Sequence, residues 1–273
     1  MPRSSRPRPL PSPELRQYAL VGCPGGVLEI AASADGVSER VAALLLRALE
    51  SGAPVGLATG RTMQPVYAAL RRQLEDWSGP RRQLLLAGWC SFNLDEYVGL
   101  GEADPGSFAA EMAAALAKPL GLVPGRLQLP NGRAPDPDAE ARRYGAAVAA
   151  AGGIGLQLLG LGSNGHVGFN EPPCTSQAPC RCLTLSAATR QQNAAAFGAD
   201  PAAVPERAIT LGTAEILAAR EVLLVVTGAA KAEILRCSLQ EPPDPAVPAS
   251  WLQTHPRLRV VVDADAASAL RLS

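Results

Sequence analysis

Lysine is almost missing from this sequence, and a charge excess and long apolar runs are missing altogether. Only Lys118 and Lys231 are lysines among 25 basic residues, and 25 acidic residues bring the net charge to zero. Without an excess of positive charge the chain has no general field to hold nucleic acid or an anionic membrane. No run of about 18 apolar residues is present, so no membrane span is expected. We therefore expect neither nucleic acid nor membrane as a partner.

The six cysteines lack the spacing of a zinc site or of a disulfide framework. Three of them, Cys174, Cys180 and Cys182, form a C-x5-C-x-C cluster rather than paired CxxC motifs. This usage favours reduced thiols in a cytoplasmic protein without a structural metal, although a redox pair in the cluster stays open. Residues 1–17 are rich in proline and arginine but have no apolar core of a signal peptide. We interpret them as a flexible tail, with an unrecognised targeting peptide as the alternative, and residues 18–273 as a single domain.

The apolar pattern predicts repeated βα units. Short, nearly uniform apolar runs alternate with longer alanine-rich stretches of helical spacing. Uniformly apolar strands are typical of a mainly parallel sheet covered by helices on both faces, which is a three-layer, Rossmann-like α/β fold. The predicted strands are residues 54–58, 154–161, 222–227 and 258–262, and the predicted helices are residues 36–49, 63–74, 107–117, 137–151, 187–197 and 229–238.

The first candidate site is the turn Thr59-Gly60-Arg61-Thr62, which follows a predicted strand. Ligands of open parallel sheets bind beyond the carboxyl ends of the strands. A small, hydroxyl-bearing turn at a helix N-terminus offers N–H groups and the positive end of the helix dipole to an anion. The turn lacks the Walker pattern, so triphosphate binding is not implied, and an ordinary βα turn is the alternative.

Two adjacent carboxylates, Asp95 and Glu96, occur in the phrase FNLDEYVG. A partly desolvated carboxylate has a pKa raised toward neutrality and can act as a general base. A solvated acidic loop is the alternative interpretation.

The stretch GLGSNGHVGFNEP, residues 160–172, contains His166, one of two histidines in the chain. Glycines such as Gly162 and Gly165 let the backbone approach a ligand, and Glu171 could fix the imidazole tautomer. A single histidine is more often structural, but these surroundings favour a functional role. In a fourth turn, residues 228–231, Lys231 could reach a phosphate as a point charge, with a surface lysine as the alternative.

Taken together, these turns resemble the glucosamine-6-phosphate deaminase family, within a wider group that includes the 6-phosphogluconolactonases. The matching phrases occur in the family's order between about residues 54 and 263: GLATGRT, FNLDEYVGL, GLGSNGHVGFNEP, TLSAATRQQN, AITLG, LLVVTGAAKAEIL and SWLQTHP. FNLDEYVG and GHVGFNEP favour the deaminase branch. LGLGSNGHVGFNEP and VPASWLQTH also resemble a sub-branch assigned to galactosamine 6-phosphate, so the sugar epimer stays open.

The resemblance implies an enzyme without cofactor or metal that converts an amino-sugar 6-phosphate and water to a ketose 6-phosphate and ammonia, with glucosamine 6-phosphate as the first choice. It implies that His166 opens the sugar ring, with Glu171 as its orienting partner, and that Asp95 moves a proton between C2 and C1. Asn164 stands beside His166 in the same catalytic phrase. The residues assigned to substrate or phosphate binding are Thr59, Gly60, Arg61, Thr62, Glu96, Gly162, Gly165 and Lys231.

Three positions depart from the family pattern. Asn164 stands where the family usually has aspartate, and an amide can orient His166 but cannot accept a proton. Ala195 stands where the family has an arginine that contacts phosphate. Arg61 occupies a position where the family has a small residue, and we hypothesise that it supplies the missing positive charge.

Regulation, assembly and two other activities stay open. In the segment after NEP, Arg181 is kept but Leu183 replaces the lysine of allosteric members, which argues against activation by N-acetylglucosamine 6-phosphate. The family includes monomers and hexamers, so a homo-oligomer is one outcome. A lactonase-type hydrolase would use His166 as a base on water and would not need the Asp95–Glu96 pair. A non-catalytic sugar-phosphate sensor would fit the losses at Asn164 and Ala195. The retention of Asp95, His166 and Glu171 argues against it, because a protein that only binds the sugar needs no base.

Overall fold

A computed structural model describes residues 15–20 and 22–272 of the chain. Most of the predicted tail, residues 1–14, lies outside the described residues. Arg16 and Gln17, which were expected to belong to the tail, form the start of the first strand and pair with Ile30 and Glu29.

The described strands form one large sheet and one small sheet. In chain order they are β1 (Arg16–Ala19), β2 (Val27–Ala31), β3 (Val55–Leu57), β4 (Ser91–Asn93), β5 (Asp95–Tyr97), β6 (Leu127–Gln128), β7 (Leu156–Gly160), β8 (Arg181–Thr184), β9 (Arg207–Thr210), β10 (Glu221–Val226) and β11 (Leu258–Asp263). The large sheet has the order β1-β2-β11-β10-β7-β3-β4-β6 and is parallel except for β1. The small sheet, β5-β9-β8, is antiparallel.

The helices follow the alanine-rich stretches of the sequence. They are α1 (Ala34–Glu50), α2 (Met63–Glu75), α3 (Gly79–Gly88), α4 (Phe108–Met112), α5 (Lys118–Leu120), α6 (Pro137–Ala150), α7 (Ala187–Asn193), α8 (Thr213–Leu217) and α9 (Ala232–Gln240). A π-helical segment, Ala113–Ala117, joins α4 to α5, and 3-10 segments extend α7 and precede α9. Side-chain caps begin several helices: Ser33 accepts the N–H of Gly36 at 3.2 Å at the start of α1.

The central strands are covered on both faces. Five consecutive residues of β10, Val222 to Val226, are each at most 2% exposed. Because neighbouring side chains of a strand point to opposite faces, this run needs apolar partners on both sides of the sheet. The predicted class, a mainly parallel α/β sheet between helices, is therefore confirmed.

The connections that follow two neighbouring strands at the centre of the large sheet, β3 and β7, lead in opposite directions. From β3 the chain continues to β4 on one side, and from β7 it continues through β10 to β11 on the other. Such a switch in direction leaves a crevice at the carboxyl ends of the two strands. The small sheet lies next to this edge, because Leu94 follows β4 directly and its carbonyl accepts the N–H of Leu211, just after β9.

Candidate active site

A pocket of about 330 Å³ opens at the carboxyl ends of β3 and β7. Its walls come from the turn before α2, from β5 and the following helix, from the loop after β7 and from the turn after β10. The predicted site residues that line it are Thr59, Gly60, Arg61, Thr62, Asp95, Gly162, His166 and Lys231. Four predicted residues do not line it: Glu96, Asn164, Gly165 and Glu171.

The turn of residues 59–62 before α2 lines the pocket. Gly60 has a φ of 109°, a left-handed conformation that favours glycine. The N–H of Met63 donates to the carbonyl oxygen of Gly60 at 2.9 Å, so the turn runs straight into the helix. Thr62 makes no side-chain cap at this helix end. The positive end of the α2 dipole is therefore directed at the pocket.

Two cations face this turn. Lys231 is half-buried in the pocket wall, and Arg61 is exposed at its mouth. The pKa of Lys231 is lowered, first by the loss of water around its ammonium and then by repulsion from the Arg61 guanidinium. An anion bound near both side chains would reduce the repulsion between the two positive charges. A phosphate group fits this requirement.

Together with Glu111, Asp95 is one of the two carboxylates that line the pocket. It is 4% exposed and begins β5, where it pairs with Thr210. Burial raises its pKa well above the usual value, and repulsion from Glu96 and Glu111 raises it further. Gly168 lies against it, since a Cβ there would be 3.3 Å from an Asp95 carboxylate oxygen. A desolvated carboxylate of this kind is suited to act as a general base.

Glu96 points away from the pocket because successive side chains of a strand alternate in direction. Its carboxylate accepts three backbone N–H groups, from Tyr97 at 2.8 Å, Phe108 at 3.0 Å and Ala109 at 2.7 Å. Ser107 caps the same helix by accepting the N–H of Ala110 at 2.9 Å. Glu96 thus anchors the start of α4, which differs from the substrate contact expected from the sequence.

Asn164 fixes the imidazole of His166. Its side-chain oxygen lies 2.7 Å from Nδ1 of His166 and also accepts the backbone N–H of the same residue at 3.2 Å. Because this oxygen is an acceptor, Nδ1 carries the proton and Nε2 keeps its lone pair. A Cβ at Gly162 would lie 2.3 Å from the ring, so only glycine leaves room for it.

The environment keeps His166 neutral. Burial lowers the pKa of His166 to about 4, attraction to Glu171 opposes this decrease, and Lys231 adds to it. The imidazole is therefore an acceptor over the whole physiological range.

Glu171 makes its hydrogen bonds elsewhere. Its carboxylate accepts the N–H of Ser186 at 2.9 Å, the Ser186 hydroxyl at 2.7 Å and the Thr189 hydroxyl. It therefore sits at the N-terminus of α7, and the orienting partner of His166 is Asn164 rather than Glu171. Glu171 acts on the imidazole through its charge alone.

Gly165 has a packing role in the structure. Its φ is 82°, and a Cβ there would lie 2.7 Å from the Val247 side chain. Its carbonyl oxygen accepts the N–H of Ala249 at 2.8 Å, which joins the His166 loop to the segment before Trp251.

Glu111 is a pocket residue that carries no signal in the sequence. Its carboxylate accepts the N–H of Gly60 at 3.0 Å. It lies inside an alanine-rich helix, 51 residues after its partner, so no local motif marks it. Gln192, Asn193 and Ala195 line the pocket from the end of α7.

No group of three or more histidine, cysteine, aspartate or glutamate side chains within residues 15–20 and 22–272 is arranged to hold a metal ion. Among the same residues, none of the helices combines the length and the apolar character needed to cross a membrane.

Known proteins resemble this chain over most of its length. The family described as glucosamine-6-phosphate isomerases/6-phosphogluconolactonase matches residues 29–261. A glucosamine-6-phosphate deaminase from Streptomyces avermitilis is 40% identical over 237 residues, which cover 87% of this chain and 88% of the relative. One from Hahella chejuensis is 40% identical over 245 residues, covering 89% and 91%.

Solved structures agree with this. A monomeric glucosamine-6-phosphate deaminase superposes with a TM-score of 0.82 at 34% identity, covering 89% of this chain and 99% of that one. A 6-phosphogluconolactonase from Trypanosoma cruzi superposes with a TM-score of 0.69 at 17% identity, covering 89% and 96%, which shows a shared fold. The chain belongs to the glucosamine-6-phosphate isomerase/6-phosphogluconolactonase family.

Proposed function

We propose that the chain is an amino-sugar 6-phosphate deaminase that converts glucosamine 6-phosphate and water to fructose 6-phosphate and ammonia. One observation carries the proposal: a carboxylate with a raised pKa, Asp95, and a neutral imidazole, His166, line the same pocket as an anion-binding turn. The relatives at 40% identity carry the name of this activity, which supports the same choice.

The phosphate binds at the turn of residues 59–62, between Lys231 and Arg61. Ala195 offers no charge at the pocket wall, so Arg61 supplies the second cation. We expect Arg61→Ala to raise the Michaelis constant about tenfold with a smaller change in kcat, because a lost phosphate contact weakens ground and transition state alike. Steady-state kinetics measure this, with Arg142→Ala at an exposed position of α6 as the control. An unchanged Michaelis constant refutes the role of Arg61.

His166 opens the sugar ring. Its Nε2 accepts the proton of the C1 hydroxyl and delivers the same proton to the ring oxygen as the C1–O5 bond breaks, which gives the free aldehyde. The other ring nitrogen, Nδ1, keeps its proton and donates it in the hydrogen bond to Asn164. The same tautomer is therefore ready for each turnover.

Asp95 then moves a proton between carbons. Its carboxylate takes the proton from C2, which becomes acidic beside the aldehyde, and returns it to C1 of the resulting enolamine, while a proton of the amino group passes to the aldehyde oxygen. The product is an imine at C2. Water adds to this imine and ammonia leaves, which yields the C2 ketone of the ketose phosphate. The reaction is thus a hydrolytic deamination that needs neither oxidant nor reductant.

Ammonia release from glucosamine 6-phosphate and galactosamine 6-phosphate, measured side by side, tests the proposal. We expect release from at least the first sugar and its loss in Asp95→Asn. Hydrolysis of 6-phosphogluconolactone, unaffected by Asp95→Asn, would replace the proposal with the lactonase alternative. Binding of both sugars without turnover would instead identify a sensor.

We also propose that the enzyme works in the cytoplasm and needs no partner subunit. All six cysteines are free thiols, which suits a reducing compartment, and the solved deaminase of 34% identity is described as monomeric. Fractionation of the source cells and sedimentation of the active enzyme test the two statements. Activity confined to an oligomer would contradict the second.

A further inference from the structure

The carboxylate of Glu111 occupies the anion-binding turn. Its Oε1 atom accepts the N–H of Gly60 at 3.0 Å, and this N–H is one of the donors available to a bound phosphate. Glu111 also lines the pocket and is partly buried there. An acidic side chain therefore already makes the kind of contact expected of the ligand.

The charges around the turn make this position costly for a second anion. The charged groups that line the pocket are Arg61, Lys231, Asp95 and Glu111, since His166 is neutral. The carboxylate of Glu111 offsets the two cations when the ligand is absent, and it repels a phosphate that approaches the same N–H.

The backbone that carries Glu111 is held firmly. Ser107 caps the helix, and Glu96 accepts the N–H groups of Phe108 and Ala109. Release of the turn therefore requires the Glu111 side chain to rotate while its helix stays in place. The Gly60 N–H is the donor that the Glu111 carboxylate already uses within the turn assigned to the phosphate.

We propose that Glu111 is a specificity-determining residue that holds the phosphate turn in place of the ligand, so that a sugar phosphate binds by displacing its carboxylate from Gly60. The proposal rests on the proposed function for the location of the phosphate. Displacement costs the same free energy for every ligand of the turn, so a small free anion stays weakly bound, whereas a sugar phosphate makes further contacts in the pocket that offset the cost.

Inorganic phosphate binding, measured by calorimetry on the whole protein, tests this without any turnover. We expect Glu111→Gln to lower the Kd for phosphate about tenfold, since the substitution removes the charge and keeps the shape. Glu111→Ala, which also removes the hydrogen bond, is expected to tighten binding as well. The matched control is Glu75→Gln, the same change of charge at the exposed end of α2.

Weaker or unchanged phosphate binding in both Glu111 variants overturns the proposal, whether or not the enzyme releases ammonia. A separate role in holding the substrate ammonium is tested with glucosamine 6-phosphate and glucitol 6-phosphate as ligands. Glu111→Gln must tighten both. Weaker binding of the amino sugar alone assigns Glu111 to the ammonium and rejects displacement by phosphate.

Discussion

The tautomer of His166 depends on one amide oxygen. The side-chain oxygen of Asn164 accepts two hydrogen bonds from His166, one from Nδ1–H and one from the backbone N–H. The amide therefore cannot flip without losing both bonds. An aspartate at this position would also attract a proton to the ring and raise the pKa of His166. The asparagine keeps the orientation and leaves the imidazole neutral.

We therefore expect Asn164→Ala to lower kcat about tenfold to a hundredfold with little change in the Michaelis constant, because the ring loses its orientation but the phosphate site is intact. Asn164→Asp should restore orientation and move the acidic limb of the pH–rate profile to higher pH. Asn131→Ala, which removes an exposed amide that accepts an N–H from Arg133, is the control. A normal kcat in Asn164→Ala would mean that the tautomer is held in another way.

The buried carboxylate of Asp95, which is proposed to act as the base, lowers the stability of the folded protein when it is ionised. Its pKa is raised in the folded state, first by burial and then by Glu96 and Glu111, so the folded protein takes up its proton more readily than the unfolded chain. Stability therefore falls as the pH rises from the unfolded pKa of about 3.9 through the folded pKa.

Asp95→Asn should abolish ammonia release and raise the free energy of unfolding at pH 7 by about 1 kcal/mol or more. The gain should disappear at low pH, where the wild-type carboxyl is protonated in both states. Thermal unfolding across pH measures it. Asp104→Asn is the opposite control, because the pKa of Asp104 is lowered by the N–H of Gly101 and by Arg133. A loss of stability in Asp95→Asn at pH 7 would contradict the argument.

At the scale of elements, the helix α4 is positioned by a buried carboxylate. Glu96 accepts two backbone N–H groups at the start of α4, from Phe108 and Ala109, and a third from Tyr97 of β5. The same helix carries Glu111 to the pocket. A glutamine side chain would turn NH2 donors toward N–H donors, so at least one contact becomes repulsive.

Glu96→Gln should cost about 1–3 kcal/mol of stability and raise the Michaelis constant, because the pocket wall at residues 105–111 loosens. Hydrogen exchange of the backbone N–H groups of Phe108 and Ala109 should become faster. Glu140→Gln is the matched control: this buried glutamate accepts the N–H of Asn131 at 2.7 Å but does not line the pocket. The control should lose stability with an unchanged Michaelis constant. An equal effect of both variants on the Michaelis constant would contradict the role of Glu96.

The sequence predicts those elements whose pattern is long enough to read. The apolar runs of β7, β10 and β11 and the helices α1, α2 and α6 lie within a few residues of their expected positions. The strands β4 and β6 have three and two residues, too few for a periodic pattern. The small sheet uses polar segments such as Asp95–Tyr97, which look like loops until their partners are known.

The same limit applies to the site. Motifs identify Asp95, His166 and the turn of residues 59–62, because each lies in a local phrase. The contact between Glu111 and Gly60 joins two segments that only the folded sheet brings together. The side chains of Asp95 and Glu96 point in opposite directions because they are neighbours on a strand. This could not be predicted before β5 was known to be a strand.

At the scale of the whole molecule, three charged side chains join elements from the early and late parts of the chain, namely β2, α1 and β11. Glu29 on β2 is 1% exposed and accepts two hydrogen bonds from Arg40 of α1, at 2.6 and 2.8 Å. Arg259 of β11 bonds to the same carboxylate. Burial alone would raise the pKa of Glu29, but the bonds and charges of Arg40 and Arg259 outweigh it and lower the pKa.

Because the pKa of Glu29 is lowered in the folded state, its contribution is present above the unfolded pKa of about 4.3 and is lost as the pH falls through the folded value. We expect Glu29→Ala to cost about 2–3 kcal/mol at pH 7, less than a fully buried pair because the arginines are partly exposed. Urea unfolding at pH 7 and pH 3 measures this, and the difference from wild type should shrink in acid. Glu39→Gln, in the exposed pair with Arg72, should cost less than about 0.5 kcal/mol. If the two variants cost the same, or if the cost of Glu29→Ala persists in acid, the stabilisation comes from packing around β2 and not from the three charged side chains.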